Sequence, residues 1–153
     1  MNNNQDVISY LVSEFNKKEF HNTYDYAKNY LYNYGNNFLF LKILGISCLQ
    51  LNKLDESIIH LSKAISLNDQ DIDIYINLGA AFINNQKFNE AINILEKSII
   101  INNKNEMIYN NIGIAHTNLN NNNLAISNFA KAIEINPNYL DALYNLGVTH
   151  SIE

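Results

Sequence analysis

The sequence predicts an all-α solenoid of antiparallel helix hairpins, about nine helices in all, and three observations predict it. Gly45, Gly79, Gly113 and Gly147 recur at a constant spacing of 34 residues, each behind an aliphatic residue: Leu44, Leu78, Ile112 and Leu146. A period of that length is the mark of stacked supersecondary units. Within each period, apolar and small residues fall at steps of three and four, the spacing of one helix face. Between the two halves of a period stand Leu51-Asn52, Asn85-Gln86 and Asn120-Asn121. Asparagine tolerates the left-handed backbone that ends a helix, so these pairs are expected to close the first helix of each hairpin.

Registering on the glycines divides residues 1–153 into one array of units, 4–37, 38–71, 72–105 and 106–139, with 140–153 as a first helix only. Residues 4–37 are a degenerate unit. Leu11 stands in the glycine column, and the later small and large columns invert to Ala27 and Tyr30. Lys17-Lys18-Glu19-Phe20 still fits a turn, and Gly35 is expected to terminate the second helix. Such an irregular unit suits the end of an array. The next unit carries Leu41, Leu44, Gly45 and Cys48, then Ser57, Leu61 and Ala64. The third carries Tyr75, Leu78, Gly79 and Phe82, then Ala91, Leu95 and Ser98. In the fourth, Tyr109, Ile112, Gly113 and His116 are followed by Ala125, Phe129 and Ala132. Gly79, Ala91 and Ser98 are expected to let helix backbones approach, while Leu78, Phe88 and Leu95 fill the space between. Leu143, Leu146 and Gly147 begin a fifth unit that stops, and truncation of a longer array is the expectation.

This set of columns resembles the tetratricopeptide repeat, and the resemblance covers almost the whole chain. It implies a right-handed superhelix whose first helices line a concave face. The proline that often closes such a repeat occurs once, as Pro137. Asp69 and Asn103 hold the equivalent places, so those turns are expected to use Asx chemistry.

Composition narrows function by exclusion. The 153 residues are 47 % hydrophobic with a formal charge of −5, which supports a packed core and speaks against a nucleic-acid surface. All ten basic residues are lysine, so bidentate guanidinium recognition is absent. Lone Cys48 allows no internal disulfide. The start lacks the pattern of a secretory signal, and no apolar run reaches the roughly 20 residues of a membrane span. A cytoplasmic location without membrane insertion is expected. Asparagine is about one residue in five, interleaved with apolar residues at helical spacing. AT-rich coding, which enriches Asn, Ile, Lys and Tyr while depleting Arg, accounts for it better than a functional tract.

No catalytic constellation emerges, and neither enzyme activity nor a cofactor is expected. His116 and His150 share a column with Cys48 and Phe82, and that column reads as packing rather than metal binding. His21 and His60 read as isolated. There is no glycine-rich phosphate loop.

The sharper signal is asparagine immediately before the aliphatic-Gly pair, at Asn77, Asn111 and Asn145. By the family resemblance these form a ladder along the concave face, similar to that of the repeat region in O-linked N-acetylglucosamine transferases. A carboxamide both donates and accepts, so it can hold a peptide's amide without reading its side chains. Beside the ladder are expected Lys42, Ile46, Asp73, Ile76, Ala80, Asn84, Met107, Asn110, Ile114, Asn118, Asp141, Tyr144 and Val148. A clamp for a peptide's terminal carboxylate is disfavoured: Lys42 and Asn77 fit one, but Ile46, Met107 and Asn111 do not. The expected function is a non-catalytic scaffold that binds a peptide or partner protein. The other reading is the substrate-recruiting arm of a larger enzyme such as a glycosyltransferase. Self-association through the unpaired last helix is also expected.

Overall fold

A computed structural model describes residues 3–151, with side chains from Asp6 onward; Met1 and Asn2, and Ile152 and Glu153 of the expected last helix, lie outside the described residues. Among the described residues there are nine helices and no strand: α1 (Asn3–Asn16), α2 (Phe20–Tyr34), α3 (Phe38–Gln50), α4 (Leu54–Leu67), α5 (Ile72–Asn84), α6 (Phe88–Ile101), α7 (Glu106–Asn118), α8 (Asn122–Ile135) and α9 (Leu140–His150). They divide into two compact units, Met1–Asp69 with α1 to α4 and Gln70–Glu153 with α5 to α9.

The hairpin turns follow one design. Lys18, Asn52, Gln86 and Asn120 adopt φ of 62°, 57°, 58° and 58°, again 34 residues apart. Around Asn52 the Lys53 N–H donates to the Cys48 carbonyl at 2.8 Å and the Asn52 N–H to the Leu49 carbonyl at 3.1 Å. The same two bonds run from Lys87 to Phe82 and Gln86 to Ile83, and from Asn121 to His116 and Asn120 to Thr117. This is the Schellman arrangement, in which a left-handed residue satisfies the orphan carbonyls of a helix end. The expectation that asparagine occupies this place fails at Gln86, which takes the left-handed role beside Asn85. Gly35, at φ 78°, closes α2 and donates to the Leu31 carbonyl.

Between hairpins the chain uses Asx caps. Asn37, Asp71 and Asn105 accept from the backbone at the starts of α3, α5 and α7. The Asx turns after α6 and α8 are made by Asn102, accepting from the Lys104 N–H, and Asn136, accepting from the Asn138 N–H. They lie one residue before the column of Asn103 and Pro137. The Asn103 carbonyl instead accepts from the Tyr109 hydroxyl.

The glycine column is a row of sockets. A Cβ on Gly45 would lie 2.6 Å from the Leu61 side chain, on Gly79 2.6 Å from Leu95, and on Gly113 2.5 Å from Phe129. Each glycine therefore admits one large side chain of the second helix in its own hairpin, rather than a neighbouring backbone alone. In the first hairpin the volumes are exchanged: Leu11 fills the glycine column, and Ala27 fills that of Leu61. Both are fully buried in a cluster with Tyr24, Phe40, Ile43, Leu44 and Cys48. A volume-conserving exchange of this kind keeps packing density. In the second unit Ile76, Leu95, Ile108 and Ile112 form the core between α5, α6 and α7.

Candidate functional site

Two groupings in the structure have chemical content, one in each unit. In the second unit α7 packs against both α5 and α9, so first helices of successive hairpins lie side by side. These helices carry Asn77, Asn111 and Asn145, each half-buried. Ala80 and Ile114 are half-buried, and Asp73, Asn84, Met107, Asn118, Asp141, Tyr144 and Val148 are exposed, Tyr144 by 73 %. Lys42 and Ile46 are half-buried on α3 in the other unit.

Two of the residues expected beside the ladder are spent on packing. Ile76 is 5 % exposed and belongs to the core cluster with Leu95 and Ile108. Asn110 is 3 % exposed, and its Oδ1 accepts from Asn145 Nδ2 at 3.0 Å. Burial of a carboxamide oxygen is costly without such a partner. The three ladder positions therefore differ. Asn145 is tied to α7, and Asn77 donates to the Asp73 carbonyl one turn back at 2.7 Å, leaving its oxygen as acceptor. The Asn111 side chain has no hydrogen-bond partner among the described residues.

A cleft of about 170 Å³ opens where α7, α8 and α9 meet, lined by Ile114, Thr117, Asn118, Phe129, Asn145, Val148 and Thr149. It joins one ladder amide to apolar walls, the composition of a small recognition pocket. Larger hollows of about 420 and 460 Å³ share Tyr109, Lys131 and Glu134 on α7 and α8, but neither contains a ladder residue. Helices α5, α7 and α9 carry Asp73, Glu106 and Asp141 and no lysine. The face is neutral to acidic.

The second grouping was not legible as a site from the spacing. Cys48 on α3 and Glu56 and His60 on α4 bring one donor atom each to within 4.8 Å of one another. His60 is therefore not isolated. Glu56 and His60 are four residues apart on one helix face, and Cys48 faces them across the turn at Asn52. Burial pushes the Cys48 thiol up to about 12, so it is no nucleophile at neutral pH. The Tyr24 hydroxyl donates to Glu56 Oε2 at 2.8 Å, and this bond holds the carboxylate below its usual range. Desolvation lowers the His60 imidazole, and its Nδ1 is buried with no hydrogen-bond partner. His116 is half-buried and likewise lowered by desolvation, whereas His150 is exposed.

Among the described residues no helix is long and apolar enough to cross a membrane. The helical-hairpin columns, sockets and turns define a repeat protein of the class that presents surfaces to other proteins. Family profiles described as tetratricopeptide repeat match residues 72–105 and 107–139, and one described as TPR repeat matches 45–86. The chain belongs to the tetratricopeptide repeat family. Solved structures share its fold. The TPR protein YrrB, described as having an unusual peptide-binding site, aligns with TM-score 0.82 and 21 % identity over 86 % of this chain and 68 % of that one. MamA aligns with TM-score 0.82 and 23 % identity over 91 % and 81 %. The first TPR of Spaghetti (RPAP3), bound to the HSP90 peptide SRMEEVD, aligns with TM-score 0.72 and 22 % identity over 75 % and 91 %. No curated protein sequence matches the chain.

Proposed function

We propose that this chain is a non-catalytic interaction scaffold that holds an extended peptide, or an extended segment of a partner protein, along the face of α5, α7 and α9. The observation that supports this reading is the packing of α7 against both α5 and α9, which brings the asparagine-bearing helices side by side. The Asn77 oxygen, the Asn111 amide and the cleft beside Asn145 belong to α5, α7 and α9 in turn, and α7 and α9 also carry exposed Met107, Tyr144 and Val148. Carboxamides supply main-chain hydrogen bonds, and the apolar neighbours supply side-chain preference. The absence of lysine from these helices, against three carboxylates, favours neutral or basic peptides over acidic tails.

The test is selection of random phage-displayed peptides on the full chain, followed by titration of the selected sequences. Asn111→Ala is expected to weaken binding about tenfold or more, since loss of one hydrogen bond to a buried partner costs about 1–3 kcal/mol. Its melting temperature is expected to stay unchanged. Tyr144→Ala is expected to change which peptides are selected. Selection of the same peptides at equal affinity by the Asn111→Ala, Tyr144→Ala protein would rule out this face.

A second reading concerns self-association. On α9, Leu140, Leu143, Tyr144 and Val148 are exposed, and apolar patches of this kind promote association. Light scattering over a dilution series is expected to show a mass that rises with concentration, and Leu143→Glu is expected to hold the chain monomeric.

A further inference from the structure

We propose that Cys48, Glu56 and His60 form a binding site for a divalent metal of the zinc class, with thiolate, carboxylate and imidazole ligands and a fourth position left to water. The donors lie within 4.8 Å of one another. A Zn²⁺ ion with bonds of about 2.0–2.3 Å needs tetrahedral ligand atoms about 3.3–3.8 Å apart. Binding requires the three donors to close from within 4.8 Å to that separation.

Four features of the hairpin and of α2 beside it argue for a built site. Two ligands stand one helical turn apart on α4, the spacing by which helices present metal ligands. The third is fixed opposite them, because the Cys48 carbonyl anchors the Schellman turn through the Lys53 N–H. The His60 Nδ1 is buried and unpartnered, a cost that a ligand bond or its accompanying water removes. The Tyr24 hydroxyl, itself accepting from Lys28 Nζ at 2.7 Å, holds Glu56 Oε2. Outer partners of this kind orient a ligating carboxylate.

The charge balance closes. A divalent ion with one thiolate, one carboxylate and a neutral imidazole sums to zero, so the loaded site buries no net charge. Lys28 lies 3.6 Å from Glu56 Oε2, and Lys53 sits over the Tyr24 ring. Binding displaces the thiol proton to solvent. The donor set of sulfur, nitrogen and one oxygen selects zinc-like ions over magnesium or calcium. It is also particular to this hairpin: the same columns hold Phe82, Glu90 and Ile94 in the next hairpin and His116, Leu124 and Asn128 in the one after.

The experiment uses the full chain, reduced and stripped with chelator, titrated with Co²⁺ and then Zn²⁺. One Co²⁺ per chain is expected, with thiolate-to-cobalt absorption in the near ultraviolet and tetrahedral bands in the visible, both abolished by Zn²⁺ and untouched by Mg²⁺. Cys48→Ala is expected to lose the ultraviolet band. Glu56→Gln and His60→Leu are each expected to weaken binding by more than about tenfold, and Tyr24→Phe by about tenfold with the band retained. Circular dichroism establishes that each variant is folded. Should a variant unfold, the wild-type spectra decide. A folded wild-type chain without the ultraviolet band under excess Co²⁺ overturns the proposal. So does a band of equal strength in the Glu56→Gln, His60→Leu protein, which would reduce the signal to a bare thiol.

Discussion

Gln86 and Lys18 pay a conformational cost that glycine avoids, because a side chain in the left-handed region crowds the following carbonyl. Gln86→Gly is expected to raise stability by about 1 kcal/mol, read from urea unfolding, and Asn52→Gly by less, since asparagine tolerates that region. The sockets forecast the opposite sign for added volume. Gly79→Ala places a Cβ 2.6 Å from Leu95 and is expected to cost about 1–3 kcal/mol. Gly147→Ala meets nothing within 4 Å and is expected to be neutral or stabilising, as alanine favours helix. His116 yields a pH dependence. Its folded-state imidazole titrates below the ordinary value of 6.5, mainly through desolvation and against the pull of Glu96. The unfolded chain therefore takes up the proton first on acidification. The stability owed to neutral His116 is complete above about pH 6.5 and is lost as pH falls through the lowered value. His116→Phe, the residue of the same column at Phe82, is expected to flatten melting temperature against pH between about 7 and 5.

At the scale of the helix and the hairpin, what was legible depended on distance along the chain. Helix faces were legible because steps of three and four need only the helical period, and Leu44, Gly45 and Cys48 all fall where that period puts them. The turns were legible in place but not in occupant. Two Schellman bonds hold even a residue without asparagine's tolerance in the left-handed region, so Gln86 took the role expected of asparagine. The Asx turns moved from Asn103 to Asn102 because the side chain must reach a backbone N–H two residues ahead. The period puts Asn77, Asn111 and Asn145 at equivalent places on successive first helices, but it did not give the hydrogen bonds that each makes. Whether Asn145 meets peptide or Asn110 depends on the rotation of α9 against α7, which the spacing within either helix does not encode. Cys48, Glu56 and His60 come together only once α3 folds back on α4. Asn145→Ala tests the structural share of that amide: it strands the Asn110 oxygen and is expected to lower the melting temperature, where Asn111→Ala does not.

At the scale of the whole chain, neighbour-to-neighbour packing within each unit makes stability accumulate hairpin by hairpin. Deleting residues 106–153 is expected to leave a helical chain that unfolds at lower urea, and complete loss of helicity by circular dichroism would contradict this. The exchange of Leu11 and Ala27 against Gly45 and Leu61 bears on how such a chain finds its own partners. Near-identical hairpins invite a helix to fold against the wrong mate, the usual failure of repeat sequences. If α1 mated with α4, Leu11 would collide with Leu61. If α3 mated with α2, Gly45 and Ala27 would enclose a void. Two residues thus give the first hairpin a lock that the other helices do not fit. The 34-residue rhythm, left to itself, would make every pairing equivalent; here one hairpin is keyed apart from the rest.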